Sequence, residues 1–248
     1  MIPKIIHACW FGSNEMPSKY IEFAKTRKEK NPEFEIKIWT LDSFKEYLDD
    51  SEFVNYCLQN KNYGFLSDYF RFVVLYNFGG VYLDTDVEAI KSFDEFLSYD
   101  LFIGYIFDCS LGTAIIGSKK GNEILLEMLT ILKNDFSKYK KVTVSNEWVT
   151  KFFIENVDGF KLNGQSAVLP NDICICNKEY FERLNISKHI NGGYTLHHCD
   201  GSWRKDTFSR KYIKPFIKAL VGKKMYEKLT LLRLTKKQKY YSLYKDSV

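Results

Sequence analysis

The sequence predicts an α/β domain built on a mostly parallel central sheet. Three observations carry this. Segments in which apolar residues alternate with period two are interleaved with segments of helical period along most of the chain. A stretch that is apolar on nearly every helical face, Phe65 to Asn77, runs into Gly79-Gly80 and then into an apolar strand. The 248 residues, 45% hydrophobic and 27% charged, suffice for a large core without disulfides or structural metal, which excludes disordered and fibrous classes.

Taken in order, Lys4 to Trp10 reads as a first strand that ends in the turn Phe11-Gly12-Ser13-Asn14. Pro17 to Lys28 is a helix, and the alternating Phe34 to Trp39 a second strand. Asp42 or Ser43 is placed to cap a helix toward Leu48. After the buried helix and its Gly-Gly stop, Val81 to Val87 is a strand, followed by strands at Leu101 to Tyr105 and Thr113 to Gly117. Asn122 to Leu132 is a helix. Val168-Leu169-Pro170 and Tyr194 to His197 are short strands. With 5 Pro and no Gly/Ser-rich linker, no obvious two-domain split appears.

No stretch reaches the ~18 apolar residues of a membrane-spanning helix. The opening Met1-Ile-Pro-Lys-Ile-Ile-His7 lacks the basic leader and long apolar run of a signal peptide. The six cysteines form no C-x-x-C and are expected to be free buried thiols, which points to a reducing, cytoplasmic compartment. A site combining Cys174, Cys176, His197, His198 and Cys199 is the alternative.

Charge is unevenly spread. Residues 204–248 hold 14 Lys/Arg against 3 Asp/Glu, a net of +11, whereas residues 1–203 are net −6. Ile213, Phe216, Ile217, Leu220 and Val221 fall on one helical face, and Met225, Leu229 and Leu232 roughly continue it. Two interpretations stand open: a basic amphipathic segment resting on anionic lipid, or an apolar stripe packed on the body with lysines in water. Nucleic acid is disfavoured, because the body is acidic and the tail has no base-reading motif.

The chemistry concentrates in Ser67-Asp68-Tyr-Phe-Arg71-Phe-Val-Val-Leu-Tyr-Asn-Phe-Gly79-Gly80-Val-Tyr-Leu-Asp84-Thr85-Asp86. Asp68 and Arg71 lie three apart on an otherwise apolar helix. Buried charges of this kind pair with each other or meet a polar ligand. Asp84 and Asp86, if extended, face one side of a strand. Two carboxylates held close repel unless a cation lies between them, and a hard divalent ion such as Mn²⁺ or Mg²⁺ suits them. In an open α/β sheet they would sit at the strand's carboxyl end, where ligands bind. His7 reads as a satisfied structural histidine, and Trp39 and Trp148 as packing residues.

This stretch resembles the signature S-D-x-x-R-x-x-x-L-x-x-x-G-G-x-Y-x-D-x-D of the family 32 glycosyltransferases, the group with a sugar-binding region containing DXD, whose core is shared with large glucosylating bacterial toxins. Ile2-Pro-Lys-Ile-Ile-His7-Ala-Cys-Trp10-Phe-Gly12 is similar to the family's opening motif, and His197-His198-Cys-Asp-Gly-Ser202-Trp203 to its closing one. The resemblance implies a GT-A (Rossmann-like) fold over residues 1–203 and retaining sugar transfer from a nucleotide sugar, while the periodicity and charge above make 204–248 a basic amphipathic helical C-terminal segment. It implies that Trp10 stacks on the base and that Asp68 and Arg71 contact the nucleotide sugar. Asp84 and Asp86 would bind metal, with His198 as third ligand and His197 or Asp200 as alternatives. Ser202 and Trp203 would cover the diphosphate. Asp108, Asn146 and Glu147 are candidates for sugar or acceptor contacts.

The expectation is therefore a hexosyltransferase that uses a UDP-sugar, for instance UDP-galactose, with Mn²⁺ or Mg²⁺, to extend a polyprenyl-linked saccharide in capsule or lipopolysaccharide synthesis. It would lie on the inner face of the cell membrane. A metal-dependent nucleotide-sugar hydrolase and a non-catalytic membrane-associated binding protein are the rival expectations.

Overall fold

The computed structural model describes residues 1–12, 15–181, 193–200 and 222–248. Ser202, Trp203 and the stripe from Ile213 to Val221 lie outside the described residues, as do Ser13 and Asn14 of the predicted turn.

The chain runs β1 (Ile5–Cys9), α1 (Ser18–Lys30), β2 (Glu35–Trp39), α2 (Leu41–Phe44), α3 (Glu52–Gln59) and α4 (Tyr63–Phe78). It continues through β3 (Gly80–Leu83), β4 (Val87–Ala89), β5 (Leu101–Phe107), β6 (Ser110–Ser118), α5 (Glu123–Tyr139) and α6 (Ser145–Asn156). Then come β7 (Ala167–Leu169), β8 (Ile173–Cys176), β9 (Thr195–His197), α7 (Lys223–Lys236) and α8 (Tyr241–Ser247).

Seven strands form the main sheet in the order β2-β1-β3-β6-β5-β8-β7. β1 is parallel to β2 and β3, and β5 to β8, while β6 and β7 run against their neighbours. Five of the seven strands therefore share one direction, as expected of a mostly parallel sheet. β4 and β9 pair separately, antiparallel, with Val87 opposite His197.

The sheet is apolar on both faces. In β3, Tyr82 joins the core formed with α3, α4, α5 and α6, whereas Val81 and Leu83 join a second core with Ile6, Phe34 and Phe102. This period of two follows from the pleat. α4 has a buried run from Asp68 to Leu75, and that explains its nearly all-round apolar sequence.

The Gly-Gly stop is dictated by space. Gly79 caps α4 at φ 67°, and a Cβ there would lie 2.7 Å from the Lys120 amide nitrogen. Gly80 has φ 105°, and a Cβ would lie 2.5 Å from the Ile5 carbonyl oxygen. Only glycine lets the chain leave α4 and enter the sheet against β1.

Several local expectations change. Thr40, not Asp42 or Ser43, caps α2; Ser43 answers it in a reciprocal capping box. Asp84-Thr85-Asp86 is not strand: β3 stops at Leu83, and a turn closed by Val87 N donating to Asp84 O (3.1 Å) carries the chain into β4. The segment around Asn146 is the first turn of α6. Cys174 and Cys176 lie in β8, paired to β5, rather than with His197. Five cysteines are free and buried, but Cys199 is exposed.

The C-terminal helices pack on the body. Leu231 and Leu234 of α7 and Tyr241 and Tyr244 of α8 cover Ile106, Phe107 and Cys109 at the β5–β6 turn. Lys239 Nζ pairs with Glu147 (2.6 Å), and Ser247 Oγ donates to Leu162 O (2.9 Å). Met225, Leu229 and Leu232, on another face of α7, remain about half exposed.

Candidate functional site

The carboxyl ends of β1 and β3 open into a cleft of about 650 Å³. Trp10 follows β1, and Asp68 and Arg71 come from α4. Asp84 and Asp86 come from the turn after β3, and His197 from β9; all six line the cleft.

Arg71 is the organising cation. Its Nη1 donates to Thr113 O (2.6 Å) and Thr113 Oγ1 (2.7 Å), and its Nη2 pairs with Asp68 Oδ1 (2.7 Å) and Asp84 Oδ1 (3.4 Å). Tyr82 lies beneath the guanidinium, 4.8 Å from it to the ring centroid, and its hydroxyl donates to Asp84 Oδ1 (2.5 Å). A buried charge costs little once every face of it is answered in this way.

Burial pushes the Asp68 carboxyl up to about 6 despite Arg71 and a hydrogen bond from Ser145. Asp84 is also raised, by burial against the pull of Arg71 and with the charge of Asp86 adding to the rise. Asp86 behaves oppositely. Burial works against its ionisation, but His197 and the Asp200 amide outweigh it and hold the carboxyl below its ordinary value.

Asp86 Oδ2 accepts from Asp200 N (2.9 Å), and Oδ1 lies 3.5 Å from His197 Nε2. Ligand atoms of Asp84, Asp86 and His197 all lie within 4.8 Å of one another. Two carboxylate oxygens and one imidazole nitrogen so close together fit a divalent cation of the Mn²⁺ or Mg²⁺ kind. The turn, not strand alternation, brings the two aspartates together.

His198, expected as the third ligand, is not part of this cluster among the described residues. Its ring stacks on Phe23 (centroids 4.3 Å apart), and its Nε2 lies 3.2 Å from Glu88 Oε2. β9 ends at His197, whose ring joins the aspartates, and the next residue, His198, turns to Phe23 and Glu88. Asn146 lines the cleft and accepts from Thr113 N (3.1 Å). Asp108 and Glu147 do not line it. Asp108 is held by Lys178 (2.5 Å) and Glu147 by Lys239, because each finds a lysine distant in sequence.

Three contributors escaped the sequence reading. Tyr82 stands two residues before Asp84, and strand period alone could have found it. Thr113 and Arg27 gave no local signal. Arg27, on α1, is 1% exposed, and its Nη2 donates to Asp84 O (2.6 Å) and Val87 O (3.1 Å). Burial draws its pKa down to about 10, which leaves it cationic at neutral pH.

Residues 17–103 match the family model described as glycosyltransferase sugar-binding region containing DXD motif. Inositol phosphoceramide mannosyltransferase 3 of Schizosaccharomyces pombe is 30% identical over 131 residues, which is 52% of this chain and 36% of that protein. The chain thus spans about a third of that relative's length. An uncharacterized glycosyltransferase of Acanthamoeba polyphaga mimivirus is 26% identical over 211 residues, 80% of each chain. Among solved structures, the PaToxG glycosyltransferase superposes with a TM-score of 0.55 at 20% identity, covering 62% of this chain and 69% of that one. That likeness shows the fold, which is of the GT-A type.

Proposed function

We propose, from the match of residues 17–103 to the glycosyltransferase sugar-binding region containing DXD motif, that the protein is a metal-dependent retaining transferase. It moves a hexose from a nucleotide sugar to a lipid-linked saccharide at the cytoplasmic face of a membrane. The observation that supports this most is the convergence of Asp84, Asp86 and His197 in a cleft that also holds Trp10, Asp68 and Arg71.

Asp84, Asp86 and His197 would hold Mn²⁺ or Mg²⁺, which when bound supplies positive charge to the departing diphosphate. Trp10 offers its ring to the base. Arg71 fixes the Asp68 and Asp84 carboxylates through its hydrogen bonds, so that both are set before substrate arrives. The acceptor hydroxyl attacks C1 on the face from which the phosphate leaves. The bond from C1 to the phosphate oxygen breaks, the bond from C1 to the acceptor oxygen forms, and the leaving phosphate takes the hydroxyl proton.

The name of the fission-yeast relative specifies mannosyl transfer and inositol phosphoceramide, an anionic lipid, which favours a lipid-borne acceptor here. The surface of α7 favours it too. Met225, Leu229 and Leu232 fall at i, i+4, i+7 on an exposed stripe with the exposed Lys228, Arg233 and Lys236 around it, a pattern suited to an anionic leaflet.

A thermal-shift screen with Mn²⁺ tests the assignment, using UDP-galactose, UDP-glucose and GDP-mannose. A donor at ~100 times its Kd adds about 2.7 kcal/mol. Stabilisation by a nucleotide sugar that requires Mn²⁺, followed by sugar transfer to a lipid-linked acceptor, is the expected result. Indifference to every nucleotide would overturn it, and fast donor hydrolysis that no acceptor changes would favour a hydrolase.

A further inference from the structure

α1 lays one stripe of side chains behind the site. Lys19 Nζ reaches Asp200 Oδ2 (2.6 Å), and Phe23 stacks on His198. Thr26 Oγ1 accepts from Ala89 N (3.1 Å), and Asn31, at the helix's end, accepts from Phe93 N (2.9 Å). Arg27 lies between them. These positions follow i, i+4, i+7, i+8 and i+12, one helical face. That face meets both segments from which the aspartate–histidine cluster is assembled, although Asp86 and His197 are far apart in sequence.

Arg27 is the unusual member. Its guanidinium is buried, its Nε has no hydrogen-bond partner among the described residues, and no carboxylate oxygen is among its hydrogen-bond acceptors. Nη2 instead grips the carbonyl oxygens of Asp84 and Val87, at 2.6 and 3.1 Å. Those two residues are the ends of the turn that presents Asp84 and Asp86, closed by Val87 N donating to Asp84 O. A cation placed there fixes the turn through its backbone and leaves both carboxylates for other work. Its charge also opposes the mutual repulsion of the two carboxylates. Lysine would replace it only in part: both contacts come from one nitrogen, Nη2, which the rigid guanidinium plane holds in place and a flexible ammonium stem does not.

We propose that Arg27 is a positioning residue of the site, holding the Asp84–Val87 turn in the geometry that admits a divalent cation. This rests on the cation-site assignment given above. It needs no contact between Arg27 and donor, acceptor or metal.

The test uses R27K and R27M in the full chain with two readouts. The first is amide hydrogen exchange in the peptide covering 83–90, with peptides from β1 and β2 as controls, and it needs no metal. The second is Mn²⁺ binding in the presence of UDP, followed by the spin-resonance signal of free Mn²⁺. The expected result is exchange about tenfold faster in 83–90 with the controls unmoved. The Mn²⁺ dissociation constant should rise about tenfold in R27M and less in R27K, with kcat at saturating Mn²⁺ within about threefold of wild type.

Should R27M fail to fold, R27K alone decides. Exchange unchanged in R27K, or raised equally in 83–90 and in the controls, overturns the proposal, since uniform loosening marks a packing role. If the wild-type protein binds no Mn²⁺, the cation site itself is refuted, and the exchange pattern still decides whether Arg27 holds the turn.

Discussion

Strands β1 and β3 carry polar groups at two levels and treat them in opposite ways. At the inner level, His7 is fully buried and uncharged. Its Nε2 donates to Gly79 O (2.9 Å), its Nδ1 accepts from Trp39 Nε1 (3.1 Å), and burial drives its pKa down to about 4. One neutral tautomer satisfies both contacts, so the ring asks for nothing further. At the outer level, past Tyr82 and Leu83, Asp84, Asp86 and His197 crowd together with Arg71 and Asp68. There charged groups answer one another across a cleft that Asp84, Asp86 and His197 line. The same sheet thus closes one polar position and leaves another open. A site is distinguished by charges gathered where a ligand can reach them, not by the presence of polar residues.

The sharpest way to break this contrast is Asp86→Asn. The change is nearly isosteric and removes an anion whose ionised form the site stabilises. Metal-dependent turnover should fall by roughly 10²–10³-fold, the scale for losing one major transition-state stabiliser. The melting temperature should stay near wild type. Steady-state kinetics across a Mn²⁺ series checks this, and near-normal turnover would remove the outer level's claim to chemistry.

The inner level is tested by pH. Above pH ~6.5 His7 is neutral in both folded and unfolded chains and contributes no pH dependence. As pH falls from there toward ~4, the unfolded chain takes up a proton that the folded chain refuses, so stability drops. Below that both forms are protonated and the loss levels off. Its size is about 3 kcal/mol. Urea unfolding of wild type and His7→Gln from pH 7 to 4 separates the contribution: the variant starts less stable but should lose that part of the slope. Parallel pH profiles would mean that His7 is not held neutral.

The two adjacent histidines sharpen the comparison within a single strand end. His197→Ala should weaken Mn²⁺ binding by about 10–100-fold and change the melt little. His198→Ala should leave Mn²⁺ binding nearly intact and cost about 1 kcal/mol of stability, through the lost stack on Phe23. Titration calorimetry and melts on both variants decide it. Exchanged phenotypes would restore His198 as the ligand.

Much of the outer level was legible in the sequence, because local rules fix it. Asp68 and Arg71 sit one helical turn apart, Gly79-Gly80 can be nothing but a chain reversal into the sheet, and Asp84 and Asp86 are too close in sequence to separate. What escaped depends on partners distant along the chain. Which histidine meets the aspartates depends on the pairing of β9 with β4, Val87 opposite His197, and on the stack of His198 against Phe23 of α1. Asp108 and Glu147 looked available until Lys178 and Lys239 arrived from elsewhere. Arg27 resembled any other basic residue on an amphipathic helix, since nothing local marks a cation that bonds to carbonyls 57 and 60 residues away. α6 was missed because Val144 to Trp148 lacks a side-chain cap and shows no clear period at its start.

The smallest effect is expected at Trp10, which stands between the two levels. It leaves β1 with its amide bonded to Trp39 O (2.8 Å), and its ring sits 5.8 Å from Tyr20 at the cleft wall. The backbone is therefore tied to the inner level while the ring belongs to the outer one. Stacking of a base on an aromatic side chain is worth roughly 1–3 kcal/mol. The ring is only half-buried and already packs on Tyr20, so Trp10→Ala should fall at the lower end, about fivefold in the Kd for UDP, with kcat at saturating donor little changed. Trp10→Phe, which keeps an aromatic face, should recover most of the binding. If Trp10→Ala unfolds, or loses kcat and keeps its UDP affinity, the ring belongs to the inner, structural level after all.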